Sequence, residues 1–190
     1  MMKRALVGFA AAAIAFVPAV SQAQQHRSAS QPVKFSLGAG VALPMADFGN
    51  AVGTGYHLEG TGAKQLNGSA AFIRGELGAT LYGSKDQGGG ASTKGNQLGA
   101  VADIGYNFAS TSSVKPYVLG GLGLHRTSVT ADLGGTSQSD NNTAMGYNVG
   151  AGMRFKMGGR VAYLEGRYIN NGSWNGANIA NFPIAFGVEF

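Results

Sequence analysis

The residues with the most chemical potential in this sequence are charged side chains that interrupt otherwise apolar, alternating segments. Two pairs, Arg74 with Glu76 and Glu165 with Arg167, stand two residues apart in the chain. Each pair therefore lies on one face of an extended strand. Other single charges share the corresponding face of their own segments. The complete set is Glu59, Arg74, Glu76, Asp103, Arg154, Glu165, Arg167 and Glu189.

Charges of both signs on one face of several strands allow three interpretations. They can neutralise one another as ion pairs, line a gated path for ions, or supply paired carboxylates for acid–base catalysis. Burying a charge is costly unless the group is paired and hydrogen-bonded. We therefore favour a structural network in which the two pairs named above form one neutral group. The ion path and the catalytic pair stay open as alternatives.

Other residue types that often mark active sites form no convincing pattern here. His57 and His125 lack the spacing of metal ligands, and the nearby Ser128 gains no acidic partner that would complete a catalytic triad. The glycines of 38–40 and 150–152 lie inside strand-like segments and precede no helix, which excludes a dinucleotide-binding loop. Cysteine is absent. The sequence predicts no catalytic residue, metal or cofactor, and we expect the protein not to be an enzyme.

Eight segments alternate between two residue types, as half-buried strands do. They span 33–43, 55–63, 71–82, 97–108, 115–129, 144–156, 160–168 and 182–190. The last is the clearest, because small residues and Glu189 form one face and bulky apolar residues form the other. The bulky face consists of Phe182, Ile184, Phe186, Val188 and Phe190. In the fifth segment, Gly120 and Gly121 predict a bulge that switches the phase of the strand.

The connections between these segments alternate in length. Longer stretches rich in Gly, Asn, Asp and Ser cover 44–54, 83–96, 130–143 and 169–180, whereas 64–70, 109–114 and 157–159 are short. Long loops at one rim and short turns at the other are typical of outer-membrane barrels with periplasmic termini. We therefore expect the four longer stretches to be extracellular loops. Trp174, in the last of them, is interpreted as an anchor at the membrane interface, with contact to a partner as the alternative.

Alternation alone does not show which face is inside, because a soluble lipocalin-like barrel has the same period. Small residues, chiefly glycine, recur on the face that carries the charges, and a narrow eight-stranded lumen requires small side chains. Aromatic residues stand near strand ends on the apolar face, where a membrane barrel has its girdle. They are Tyr106, Phe108, Phe155, Phe182 and Phe190. We predict an all-β protein, an eight-stranded antiparallel up-and-down transmembrane β-barrel.

The first residues of the chain have the features of a cleaved secretory signal. A basic start at Lys3 and Arg4 precedes an apolar run over 5–20, and Ser21 and Ala23 offer the small residues of a cleavage site. The run is too short for a typical membrane-spanning helix, which is the alternative. We expect cleavage after Ala23, a polar lead-in over 24–32 and a barrel domain over 33–190. Cleavage lowers the net charge from +5 to +3, and no basic cluster suggests nucleic-acid binding.

Three stretches, 116–124, 163–168 and the terminal 186–190, resemble the small outer-membrane β-barrels that include the OmpA transmembrane domain and the OmpX-like proteins. The resemblance covers 33–190 and implies an outer-membrane location. It also implies contact with membrane lipid and lipopolysaccharide, and a role for Phe190 in the signal that the barrel assembly machinery reads. The sequence ends with the predicted barrel, so we expect no peptidoglycan-binding domain.

Family resemblance predicts fold and location better than activity, because one fold supports many functions. We expect a structural or surface-interaction role, with a possible extracellular ligand bound through the loops and a lumen filled by the charged network. A narrow pore is the second interpretation. A lipid-modifying barrel enzyme is the third.

Overall fold

The computed structural model of the protein describes residues 31–111 and 113–190. The predicted signal peptide, its cleavage site and most of the lead-in lie outside the described residues. The strands are β1 (Lys34–Met45), β2 (Gly55–Gln65), β3 (Ala71–Gly88), β4 (Ala91–Asn107), β5 (Val114–Leu133), β6 (Thr136–Met157), β7 (Arg160–Trp174) and β8 (Ala177–Glu189). A short helix, α1 (Phe48–Ala51), lies between β1 and β2.

Each strand pairs in antiparallel fashion with the next, and β8 pairs with β1 to close the ring. The predicted fold class, an eight-stranded up-and-down barrel, is therefore confirmed. Outward-facing apolar side chains such as Leu77 and Leu122 are 62% and 60% exposed, which suits a surface that meets lipid. Among the described residues, no helix has the length and apolar character needed to cross a membrane.

The lumen is narrow because glycines let opposite groups approach closely. A Cβ atom on Gly121 would lie 2.1 Å from the carbonyl oxygen of Ala102 and 2.4 Å from a carboxylate oxygen of Asp103. The pairing of β5 with β4 and β6 runs through Gly120 and Gly121 without a shift. The expected bulge there is wrong, because both glycines continue the strand alternation: Gly121 faces the lumen beside Asp103, and Gly120 faces outward.

The strands continue well beyond the barrel at the rim opposite the chain termini. Three of the four stretches predicted as loops, 83–96, 130–143 and 169–180, are mostly paired strand. The residues at 89–90, 134–135 and 175–176 have positive φ, the geometry of tight two-residue hairpin turns. Outside the membrane a strand needs no apolar face toward lipid, so segments rich in threonine, serine and alanine can form paired strands without the alternation of apolar residues. The loop prediction therefore failed in these segments, whereas 44–54 is a connection that contains α1.

Candidate functional site

The centre of the lumen holds six of the eight charged residues singled out in the sequence. Arg74 donates to both carboxylate oxygens of Glu165, at 2.8 and 3.0 Å, and its Nε and Nη2 donate to Asp103 at 3.1 and 3.0 Å. Arg167 Nη2 lies 2.5 Å from Glu76 and 3.3 Å from Glu59. Its distance to Glu165 is 3.1 Å, so both arginines share that carboxylate. We call these six residues the central cluster.

The central cluster differs in charge from the neutral four-residue group expected from the sequence. Glu59 and Asp103 join it, so two guanidinium groups face four carboxyl groups. Uncharged donors serve the additional carboxyl groups: Tyr163 donates to Glu59 at 2.6 Å, and Asn148 donates to Asp103 at 2.9 Å. Tyr117 donates to Glu165 at 2.7 Å. These aromatic and amide partners were missed, although their strand phase places them inward.

His57, which shows no metal-ligand spacing in the sequence, also contacts the central cluster. Its ring is 5% exposed and lies 2.9 Å from Thr80 Oγ1 and 3.2 Å from Glu59 Oε2. Ligand atoms of His57, Glu59 and Glu76 lie within 4.8 Å of one another, close enough to hold a metal ion. The Arg167 guanidinium already contacts both carboxylates there, so a metal ion would compete with a fixed positive charge.

The second histidine does not form a catalytic group with Ser128. His125 is buried in the lumen, whereas Ser128 lies on the other face of β5 and donates toward the Asp140 backbone carbonyl at 3.4 Å. No nucleophile–histidine pair forms at these positions. This geometry removes the one Ser–His combination that the sequence offered.

Arg154 and Glu189 lie apart from the central cluster, near the rim that carries the chain termini. Arg154 Nε donates to Glu189 at 2.6 Å, and Nη1 donates to Asn107 at 2.6 Å. The guanidinium carbon lies 4.9 Å from the ring centre of Phe72 and 4.2 Å from that of Tyr117. The eight predicted charges therefore form two groups at different depths.

The opposite end of the lumen is closed by the β1–β2 connection. Phe48 and Val52 are each 1% exposed and pack with Ala42, Tyr82 and Ile179. Polar contacts fix this connection, since Lys85 Nζ donates to the Gly49 carbonyl and the Asn178 N–H donates to Asp47 at 2.9 Å. We call residues 46–52 the cap. The expected extracellular loop here folds inward because its apolar side chains are buried in the mouth of the barrel.

Trp174 packs against the cap cluster and is only partly buried. The pairing of β7 with β8 is irregular between Asn170 and Ser173, just before this residue. Such an irregularity bends the strand and changes the direction of the side chains that follow it. Trp174 therefore packs with the cap at the rim opposite the chain termini, and its roles as an interface anchor or as a contact for a partner both stay predictions.

Phe190 lies on the lipid-facing side of the rim that carries the chain termini. Its side chain is 63% exposed, and the Arg160 guanidinium lies 5.0 Å from the ring centre. Its backbone N–H donates to the Phe35 carbonyl at 2.8 Å, which joins the C-terminus to β1. The last residue is thus accessible as well as anchored by its backbone.

Comparison with known protein families decides the assignment. Residues 9–190 match the model of the outer membrane protein beta-barrel domain. The chain belongs to this family. Its location is the outer membrane, where its apolar surface contacts the membrane lipids.

Solved structures show the same fold at low sequence identity. Neisserial surface protein A is 23% identical with a TM-score of 0.58, covering 83% of this chain and 95% of that one. Ail of Yersinia pestis is 15% identical with a TM-score of 0.55, covering 85% and 99%. A major outer membrane protein of Thermus thermophilus is 15% identical with a TM-score of 0.55, covering 84% and 100%. No curated protein matches the sequence.

Proposed function

We propose that this barrel acts at the cell surface by binding an extended peptide segment of a partner protein. The observation that carries the proposal is an unpaired strand edge outside the membrane. β6 pairs with β5 along its whole length, but its pairing with β7 starts only at Tyr147 and Asn170. Within the described part of the chain, no strand pairs with the other side of residues 136–146. An unpaired edge presents N–H and C=O groups that can accept an added strand.

Beyond the barrel, β3, β4, β5 and β6 continue as a sheet that projects from the rim opposite the chain termini. The two edges of this sheet, on β3 and on β6, differ in a way that supports this role. The far edge, on β3, is covered by the β1–β2 connection: the Gly53 N–H donates to the Gly83 carbonyl at 2.9 Å. Gln87 also donates to the Asn50 carbonyl at 3.1 Å. Apart from Gly146, which lies against Asn170 and Asn171 of β7, the β6 edge has no such cover among the described residues. Covering one edge and leaving the other open is consistent with an edge kept for recognition.

A groove of about 600 Å³ runs beside the open edge. Trp174 and Val129 supply apolar surface, and Asp47 and Asp140 supply carboxylates. Such a lining favours a peptide with an apolar residue next to a basic one, because aromatic rings and carboxylates would receive those two groups. Main-chain hydrogen bonds would give affinity, and the groove would give side-chain specificity.

The lumen gives less support to the alternative functions. A pore would need a continuous water path, but the central cluster and the cap both occupy the bore. A lipid-modifying enzyme would need a nucleophile and a base in contact at a place that lipid can reach. His125 and Ser128 lie on opposite faces of β5, and the hydroxyl–histidine contact between Thr80 and His57 is buried inside the lumen. Neither alternative gains a specific observation in its favour.

The test is selection of peptides from a displayed library on the purified barrel in lipid nanodiscs. One variant replaces 130–139 by Asn-Gly, which shortens the β5–β6 hairpin and removes much of the edge. The matched control carries the single substitution Gly134→Asn, which gives the same Asn-Gly turn and leaves the edge intact. We expect selected peptides to bind the control and not the shortened variant, and to slow amide exchange within 136–146. Equal binding to both variants, or no binding above empty nanodiscs, would contradict the proposal.

A further inference from the structure

The periplasmic end of the lumen contains a cavity that the proposed surface function does not use. Its volume is about 440 Å³, within the range of roughly 300–1,000 Å³ that is typical of small-molecule sites. Tyr117, Tyr163 and Arg74 line it where it approaches the central cluster, and the β4–β5 turn lines its mouth. We call this cavity the vestibule. We propose that the vestibule binds a small anion that carries at least two carboxylate or phosphate groups.

Charge in the vestibule is strongly unbalanced. Lys34, Lys115 and Arg154 line it together with one peripheral carboxylate, Glu189. That carboxylate is shared, since it lies 2.6 Å from Arg154 and 3.9 Å from Lys34. No carboxylate among the described residues pairs with Lys115. Three cationic groups against one acid leave two positive charges around the mouth of the vestibule, whereas Arg74, deeper in the cavity, is already paired with Asp103 and Glu165. No ion pair among the described residues links the excess carboxyl groups of the central cluster to Lys34, Lys115 or Arg154, so a ligand with at least two negative charges would complement these three cations.

The register of β5 and β6 places two of the cations directly across from each other. Lys115 is the pairing partner of Arg154, and both side chains line the vestibule. Like charges at directly opposed positions of a strand pair are destabilising. A protein that breaks such a local rule commonly does so at a functional site. An anion between the two side chains would turn this repulsion into two attractive contacts.

Arg154 is held in a conformation suited to binding. The rings of Phe72 and Tyr117 lie on its guanidinium, and Glu189 and Asn107 engage Nε and Nη1. A stacked and fixed guanidinium loses little conformational freedom when it binds a carboxylate or phosphate oxygen. Arg154 is therefore the preorganised part of the site, and the exposed Lys34 and Lys115 add positive charge beside it.

The position of these cationic groups indicates that the ligand is not the headgroup of a membrane lipid. Lys34, Lys115 and Arg154 follow the inward phase of their strands, and the cavity opens along the barrel axis toward the periplasm. A headgroup in the inner leaflet would instead meet outward residues such as Lys64 and Arg160. The ligand is thus a periplasmic solute or an anionic group presented from the periplasm.

The test is calorimetric titration of the refolded barrel in phosphatidylcholine nanodiscs with pyrophosphate and, separately, with citrate. The two probes distinguish phosphate from carboxylate preference. We expect saturable binding of at least one probe and a loss of about tenfold in affinity in Lys115→Gln, as expected when a charged hydrogen-bond donor is removed. Lys94→Gln, on the extracellular side, is the matched control and should bind as the original protein does.

A second variant gives an effect of opposite sign. Glu189→Gln removes the carboxylate that competes for Arg154 and Lys34, so affinity for the anion should rise. A purely structural role of Glu189 would lower or preserve binding. Absence of saturable binding by either probe at millimolar concentration would overturn the proposal. Equal losses in Lys115→Gln and Lys94→Gln would do the same, because they would indicate nonspecific attraction to net charge.

Discussion

Replacing Arg167 by methionine should destabilise the folded barrel strongly. Its side chain is 1% exposed and contacts the carboxylates of Glu76, Glu59 and Glu165 at 2.5, 3.3 and 3.1 Å. Without it, one guanidinium remains among four carboxyl groups. Removing one partner of a buried ion pair costs about 3–5 kcal/mol. Arg167 Nη1 also lies 3.8 Å from Asp103, so all four carboxyl groups of the central cluster lose a partner and we expect the loss in unfolding free energy to lie toward the upper end of that range.

The contribution of one contact is isolated by a double-mutant cycle with Glu76→Gln. The free energy of unfolding is measured in urea on the barrel in lipid vesicles, with the heat-dependent gel shift and the fluorescence of the single tryptophan as probes. Residues in direct contact show coupling energies of about 0.5–3 kcal/mol. The double variant should therefore be more stable than the sum of the single effects predicts.

The same measurements define the control and the refuting result. Lys94 lies 3.6 Å from Asp132 with 58% of its side chain exposed, and exposed pairs contribute little. Lys94→Gln should leave the unfolding free energy unchanged within error. An additive cycle for Arg167 and Glu76, or a loss for Arg167→Met no larger than that of the control, would show that the central cluster does not hold the barrel together.

Three further predictions concern the two ends of the protein and its processing. Deleting Phe190 should reduce surface levels far more than the stability of refolded protein, because burying one such side chain contributes only about 1.5–3 kcal/mol; normal surface levels would refute its role in assembly. The hydrogen bond from Ser137, and then the charge of Lys94, lower the pKa of the Asp132 carboxyl. Ionised Asp132 thus stabilises the hairpin tip above its unfolded pKa, and this contribution is lost as the pH falls through the folded pKa. Amide exchange at the tip should accelerate on acidification, and Ser137→Ala should weaken that dependence. Mass spectrometry of the exported protein should find a start at Gln24, and an intact Met1 would contradict cleavage after Ala23.

The sequence pattern was sufficient to predict the architecture, because side chains in a barrel strand alternate between the lumen and the lipid and the residue types alternate with them. All eight charged residues stand on the predicted inner face, and Leu77 and Leu122 face outward as expected. Strand ends were less predictable. The segments 83–96 and 130–143 contain the glycines and polar residues of loops, yet paired positive-φ residues at 89–90 and 134–135 turn them into tight hairpins. Above the membrane no apolar stripe is required, so the alternation that marks a strand disappears.

The sequence predicts which residues face the lumen, but it does not predict which of them contact one another. Tyr163 and Glu59 are 104 residues apart and meet across the lumen at 2.6 Å. Such a contact depends on the stagger of the whole barrel, which alternation within single strands does not determine. The cap was missed for a related reason. A helix of four residues, α1, has no periodic signal, and its burial depends on the space left between β3, β5 and β8.

The claim that this protein acts at the cell surface and not as a pore is tested most directly by planar-bilayer conductance. The measurement compares the intact barrel with a variant in which the cap residues 46–52 are replaced by glycine and serine. We predict no steady single-channel current from either protein, because the central cluster blocks the bore below the cap. A reproducible ohmic current from the intact barrel would contradict the account and favour a pore.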